Sequence, residues 1–359
     1  MVKRNNLVEF ARFLFSVLVI GYHVQMSFSG NGIDWFENGA LAVEFFFLIS
    51  GYFLARSIEK INAKENGNVA LDSCRFMGNK VKGVLPVHLT AIVLMIIVLL
   101  ACDLSNAGSL ILKGLPSIFL VQEAIIWNEA YANALIVPEW YLSAMLLCML
   151  IMVPIALLLR KKIKGIFVVP VLLGVLGVIA VIYGLCTNWA FTTTFVYDLR
   201  AWGELCVGMC AYHLSVEIAK KEFTKPTAIV LKIIEISGYS VPVILGVVPM
   251  SAGLQPVGMV VAVIGVFAAI SITFAGKGVA ITNAKVNAAF GYLGGLSLAM
   301  YLFHPVIISL LDYAYTGVEN WAKYLIVFAA TAAGAVIYNL IAFLITSLIN
   351  YIKSRKQLV

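Results

Sequence analysis

The chain repeats one pattern from end to end: apolar runs of about twenty residues separated by shorter polar stretches. A helix rises about 1.5 Å per residue, so such a run crosses the ~30 Å hydrocarbon layer with its backbone groups bonded internally. The runs predict ten transmembrane helices, at 7–26, 39–57, 84–102, 139–159, 166–185, 200–217, 230–249, 256–275, 291–312 and 324–350. With 62% hydrophobic and only 12% charged residues, the composition belongs to polytopic membrane proteins. The first run is not a cleaved signal peptide, because it is long, carries Arg12 and His23, and has many spans after it. The expected fold class is all-α, a polytopic membrane protein.

Charge placement sets the expected topology. The formal net charge is +7, and 21 of the 25 basic residues fall in alternate loops. By the positive-inside rule those loops, and both termini, are cytoplasmic. The excess charge is a topology signal, and nucleic acid is not an expected partner. The longest stretches between spans, 58–83 inside and 103–138 outside, are too short for an ordinary soluble domain. Residues 1–359 therefore read as one transmembrane domain with no appended soluble domain. Within the outer stretch, Ile111 to Trp127 is apolar but broken by Gly114 and Pro116, and is expected to form an interfacial or re-entrant segment. The six cysteines make no CxxC and no Cys/His cluster, so no metal site is expected. Cys206 and Cys210 read as packing residues, whereas Cys102 and Cys186 would be able to pair if their helices adjoin.

Ionisable groups inside a bilayer are costly and by default mark function. Arg12 and His23 are eleven residues apart, which returns to nearly the same helix face about 16 Å along. Glu9 and Ser16 fall on the same stripe, so the first helix reads as the wall of a polar conduit. On the inward-running second helix, Glu44 is expected at the level of His23. A carboxylate there would fix the imidazole's tautomer and raise its basicity, as a general base requires. Gly51, on the same face as Glu44, would let the first helix approach. Ser297, Tyr301 and His304 share a stripe of the ninth helix ahead of Pro305, with His304 expected near mid-bilayer, suited either to lining a substrate path or to an interhelical bond.

Arg200 has two readings, binding an acceptor or pairing with Glu204. Trp140, Trp189, Trp202 and Trp321 suit an interfacial belt, with Trp140 also able to stack on a sugar ring. His88 and His213 are expected at inner interfaces. Arg56, Lys60, Arg75, Lys80 and Lys82 gather at the inner ends of the second and third helices, for anionic lipid or, more sharply, a phosphate-bearing cytosolic ligand.

Four motifs carry a resemblance. They are Glu9-x-x-Arg12-x(10)-His23, Glu44 through Ser50-Gly51 to Leu54, Trp140-Tyr141-Leu142-Ser143, and Gly294-Gly295-Leu296-Ser297 through Tyr301-Leu302-Phe303-His304-Pro305. In this order, across nearly the whole chain, they resemble the acyltransferase 3 family of integral membrane O-acyltransferases. The resemblance implies ten spans in a bacterial cytoplasmic membrane and a cytoplasmic acyl-CoA donor, with acetyl-CoA foremost. It also implies an outer acceptor hydroxyl on an envelope glycan or lipid-linked sugar. It makes Arg12 and His23 required for activity and carries the Ser-Gly motif over to Ser50 and Gly51. The chain departs from the family where Lys80, Lys82 and Gly83 precede Pro86 in place of arginines, since lysine lacks the bidentate fork for phosphate. Met145 stands where many members have a glutamate.

The expected site therefore has His23, Glu44 and Arg12 as catalytic residues. Arg12, Ser50, Gly51, Arg75, Lys80 and Lys82 are expected at the donor. Trp140, Arg200, Ser297, Tyr301 and His304 are expected to line the acceptor path. Ser50, Tyr301 and His304 are oxyanion candidates, and an acyl-histidine relay is an alternative to direct transfer. The rival reading is a transporter of a small molecule or polysaccharide.

Overall fold

A computed structural model describes residues 5–28, 35–63, 67–102, 107–123, 134–162, 168–176, 193–251, 254–314 and 319–356. Among these residues the regular elements are all helical. They are α1 (Asn6–Phe28), α2 (Ala42–Asn62), α3 (Val69–Cys102), α4 (Ala107–Ile118), α5 (Trp140–Lys162), α6 (Thr193–Ala219), α7 (Lys225–Val247), α8 (Gln255–Ala275), α9 (Ala284–Ala314) and α10 (Asn320–Lys356). A further helical stretch covers 168–176.

Eight of the described helices are long and apolar enough to cross a membrane: α1, α2, α3, α5, α7, α8, α9 and α10. The expected fifth span, 166–185, lies largely outside the described residues, as do Cys186, Trp127 and Trp189. The expected sixth forms as α6, yet Asp198, Arg200 and Glu204 keep it from reading as a span by composition alone.

Three asparagines move helix starts away from where hydropathy places them. Asn5 Oδ1 accepts from the backbone N–H of Leu7 at 3.1 Å, Asn68 Oδ1 from Leu71 at 3.1 Å, and Asn283 Oδ1 from Lys285 at 2.9 Å. Each satisfies a donor that the first helical turn leaves orphaned. As a result α3 begins at Val69, so much of the expected inner loop 58–83 is helix. For the same reason α9 begins at Ala284, seven residues before the apolar run at 291.

Burial is inverted relative to a water-soluble protein. Leu340, Ile341, Phe343 and Leu344 of α10 and Ile264 of α8 face outward, as lipid contact requires, whereas Glu44, His88, Glu139, Glu235 and His304 have no exposure at all. Among the described residues α2 and α6 share the most extensive helix contact. Gly51 faces the Leu205 backbone, and Gly208 faces the Leu48 backbone and the Gly51 Cα, so the two helices touch main chain to main chain. This corrects the expected use of Gly51: the space it leaves admits α6 rather than α1.

The apolar outer piece forms α4, which runs through both Gly114 and Pro116. Leu120 then takes a left-handed φ of 54° and turns the chain, burying Leu120, Gln122 and Glu123. The Glu123 N–H donates to Ser143 Oγ on α5 at 3.0 Å. Residues 124–133 lie outside the described part.

Candidate active site

α1 and α9 run parallel in a constant register. Asn6 Nδ2 donates to Asn287 Oδ1 at 2.6 Å, and Phe10 stacks on Phe290 at 4.1 Å. Ser16 Oγ lies 3.4 Å from the Ser297 carbonyl, and the His23 and His304 rings are 5.0 Å apart. All four pairs are offset by 280 or 281 positions, so the polar stripe of α1 faces the polar stripe of α9 along its whole length. Gly294 makes this possible at the start, where a side chain would collide with the Glu9 backbone. The register also corrects the expected depth of His304. Because α9 starts early, His304 lies level with His23 rather than near mid-bilayer.

Beside this seam lies a cavity of about 190 Å³ lined by Arg12, Ser16, Phe46, Ser50, Tyr141, Met145, Ser297 and Tyr301, among others. Residues expected on separate grounds thus share one space. Arg12 is held by Glu9 at 3.8 Å and lies 5.9 Å from the centre of the Phe53 ring. The Tyr141 hydroxyl donates to the Phe46 carbonyl at 3.0 Å, which leaves Ser50 Oγ, 3.3 Å away, to donate to it. Tyr301 donates to the Pro138 carbonyl and so ties α9 to the turn before α5. Met145, where a glutamate was the usual residue, makes the floor apolar. His23 does not line this cavity; Tyr301 and His304 stand between.

The His23 tautomer is set within its own helix. Nδ1 lies 2.8 Å from the Val19 carbonyl, one turn earlier. A carbonyl oxygen can only accept, so Nδ1 carries the proton and Nε2 keeps its lone pair. This is the base-competent form, reached without a carboxylate. The expected His23–Glu44 dyad does not form. Glu44 binds the Arg200 guanidinium across the α2–α6 contact, and Arg200 Nε bonds Glu204 Oε1 at 3.0 Å. A buried carboxylate takes the strongest partner its packing presents, and main-chain contact between α2 and α6 delivers a guanidinium.

That network also corrects Arg200 and Trp140 as substrate-lining residues. Arg200 spends its guanidinium on two carboxylates. Trp140 is buried among Tyr197, at 4.5 Å, and Phe47, at 6.1 Å, with the Arg200 guanidinium carbon 5.8 Å from its ring centre. It offers no platform to a sugar.

The cations expected at the inner helix ends divide among separate places rather than crowding together. Arg56 lines a cavity of about 940 Å³ with Tyr52, Ser215, Lys220 and Thr273. Lys60 and Arg75 share a second, of about 270 Å³, with Asp72 and Asn79. Lys80 lies one turn before Val84, a residue of the Arg12 cavity, and within electrostatic reach of Arg12. Lys82 is exposed.

A family model for an acyltransferase domain matches residues 5–340. The chain belongs to the acyltransferase 3 family. No curated protein and no solved structure gives a match. In this acyltransferase the four sequence motifs converge: the first, second and fourth line the Arg12 cavity together, and Tyr141 of the third joins them.

One buried pair escaped sequence reasoning. His88 is not interfacial but fully enclosed, its Nδ1 2.7 Å from Glu139 Oε1 and its Nε2 3.2 Å from the Ile118 carbonyl. It clamps α3 to α4 and to the turn that receives Tyr301. Placing the start of the third span at 84 put His88 at an inner end. The sole sequence signal was an ionisable residue at the head of a span, Glu139. Burial pushes the neighbouring Glu123 carboxyl, between α4 and α5, up to about 7. Among the described residues no cluster of His, Cys, Asp or Glu could hold a metal.

Proposed function

We propose that this acyltransferase moves an acyl group, acetyl foremost, from cytoplasmic acyl-CoA to a hydroxyl of an extracytoplasmic envelope saccharide. The observation that carries this reading is the single cavity uniting Arg12, Ser16, Ser50, Tyr141, Ser297 and Tyr301, with the bare-nitrogen histidine beyond it. Membership in the family supports acyl transfer, and largely apolar walls set with hydroxyls and the Arg12 guanidinium suit a slender thioester-bearing arm.

In this mechanism the nucleotide end of the donor stays at the inner cationic rim. Its arm passes Lys80 and Arg12 through the cavity and carries the thioester to the Tyr301 end, where the acceptor hydroxyl bridges the gap to His23. His23 Nε2 takes the proton of the acceptor hydroxyl, whose oxygen attacks the thioester carbonyl. The hydroxyls of Ser50 and Tyr301 are the donors available to the tetrahedral oxyanion, each freed from its present partner as the acyl group arrives. The setting is a bacterial cytoplasmic membrane with the acceptor on its outer face, and the bias of basic residues to alternate loops supports that orientation.

The test is release of free CoA by purified protein supplied with acetyl-CoA and an envelope glycan, together with mass spectrometry of the glycan. Glycan-dependent CoA release that vanishes in His23→Ala, with the variant inserted and folded, is expected. Equal release by His23→Ala would remove the general base from the scheme.

A further inference from the structure

His304 has no exposure, and neither ring nitrogen meets a hydrogen-bond partner at bonding geometry; the carbonyls of Met300 and Tyr301, in the preceding turn, lie nearby. A buried polar group left in that condition is unusual and calls for an explanation. Its neighbours supply one. The His23 ring lies 5.0 Å away and the Tyr301 ring 6.0 Å away. Tyr301 in turn lines the Arg12 cavity, which His23 does not reach. Ring contacts through His304 therefore link the proposed base to the space proposed for the thioester. Two imidazolium charges this close, away from water, repel strongly, so the histidine pair holds one added proton rather than two.

We propose that His304 relays the proton that His23 takes from the acceptor hydroxyl and, through the Tyr301 hydroxyl, delivers it to the departing CoA sulfur. The inference rests on the acyltransfer reading above. Its bookkeeping closes. The acceptor O–H bond breaks and its proton goes to His23 Nε2. The new ester C–O bond forms, the C–S bond breaks, and the electron pair leaves on sulfur. The proton passes to His304, Tyr301 accepts it on oxygen while giving its own to the thiolate, and free CoA departs as the thiol. His304 touches neither substrate, so it is a positioning residue that works through His23 and Tyr301.

The experiment compares wild type, His304→Asn and His304→Gly in glycan-dependent CoA release, with acetyl-CoA affinity and thermal unfolding measured in parallel. Asparagine keeps a polar, hydrogen-bonding side chain but cannot carry the proton. It is expected to leave KM for acetyl-CoA within about threefold and to lower kcat by about a hundredfold, the scale of a lost proton-transfer group. In His304→Gly, added imidazole is expected to restore turnover, whereas pyrazole, equal in size but far less basic, is not. Turnover of His304→Asn within threefold of wild type would overturn the relay, as would restoration by both azoles or by neither. Should His304→Asn not insert, the azole comparison decides alone. Absence of CoA release from wild type would sink the acyltransfer reading instead.

Discussion

Glu44 of α2 and Arg200 of α6 form a buried ion pair where the two helices touch main chain to main chain, with Glu204 as the second carboxylate on the same guanidinium. Removing the cation leaves two carboxylates facing each other without compensation. Arg200→Ala is expected to destabilise the fold by about 3–5 kcal/mol, read as a lowered thermal midpoint in detergent. Because the His23 tautomer depends on Val19 and not on Glu44, Glu44→Gln should leave the pH–rate profile of turnover in place. A shifted profile would restore the abandoned dyad.

The Arg12 guanidinium borders the cavity beside Ser50 and Tyr301. Lysine keeps the charge but loses the planar fork. Arg12→Lys is expected to raise KM for the acyl donor by about tenfold, corresponding to about 1.4 kcal/mol, with a smaller fall in kcat. Steady-state kinetics with varied acetyl-CoA would show it, and unchanged KM would free Arg12 of donor binding.

Gly51 and Gly208 let α2 and α6 meet backbone to backbone. A Cβ at Gly208 would lie 2.9 Å from the Gly51 Cα, where neither chain can retreat without moving a helix. Gly208→Val is expected to cost at least the ~1–3 kcal/mol of ordinary overpacking and to disturb the Glu44–Arg200 pair. The yield of folded protein after detergent extraction measures this.

His88 and Glu139 are both fully buried, 2.7 Å apart. His88→Ala should cost about 3–5 kcal/mol, because it strands the Glu139 carboxyl. The double variant His88→Leu with Glu139→Leu should recover much of that loss, since a packed apolar pair replaces both groups. Thermal unfolding of wild type, His88→Leu, Glu139→Leu and the double variant closes the cycle, and additive losses would argue against a coupled pair.

The Glu123 carboxyl, raised from 4.5 to about 7, supplies a pH dependence. Below about 4.5 the group is protonated in both folded and unfolded chains and costs nothing. Between about 4.5 and 7 the folded chain holds the proton more tightly, so stability falls as pH rises; above about 7 the full cost of burying the charge remains. Glu123→Gln should flatten this part of the stability curve, a difference visible in unfolding midpoints taken from pH 4 to 8. Parallel curves for the two proteins would contradict it.

Within the sequence, apolar runs gave away the helices, and a period of 3.6 residues identified which side chains share a face. Arg12 with His23, and Ser297 with Tyr301 and His304, were legible for that reason. Helix starts were less legible. The capping asparagines Asn68 and Asn283 lie outside the apolar runs, so hydropathy shortened α3 and α9 and misjudged the depths of His88 and His304. His88 with Glu139 was invisible because no local pattern links residues 51 positions apart.

What the sequence determined alone was the kind of molecule and which polar side chains share a helix face, because length, hydropathy and helical period are local properties. The partners were decided only by tertiary structure. His23 meets His304 through the parallel register of α1 and α9. Glu44 meets Arg200 because two glycines bring α2 onto α6. A helix presents a stripe to all of its neighbours alike, and close packing between distant segments selects which neighbour answers it.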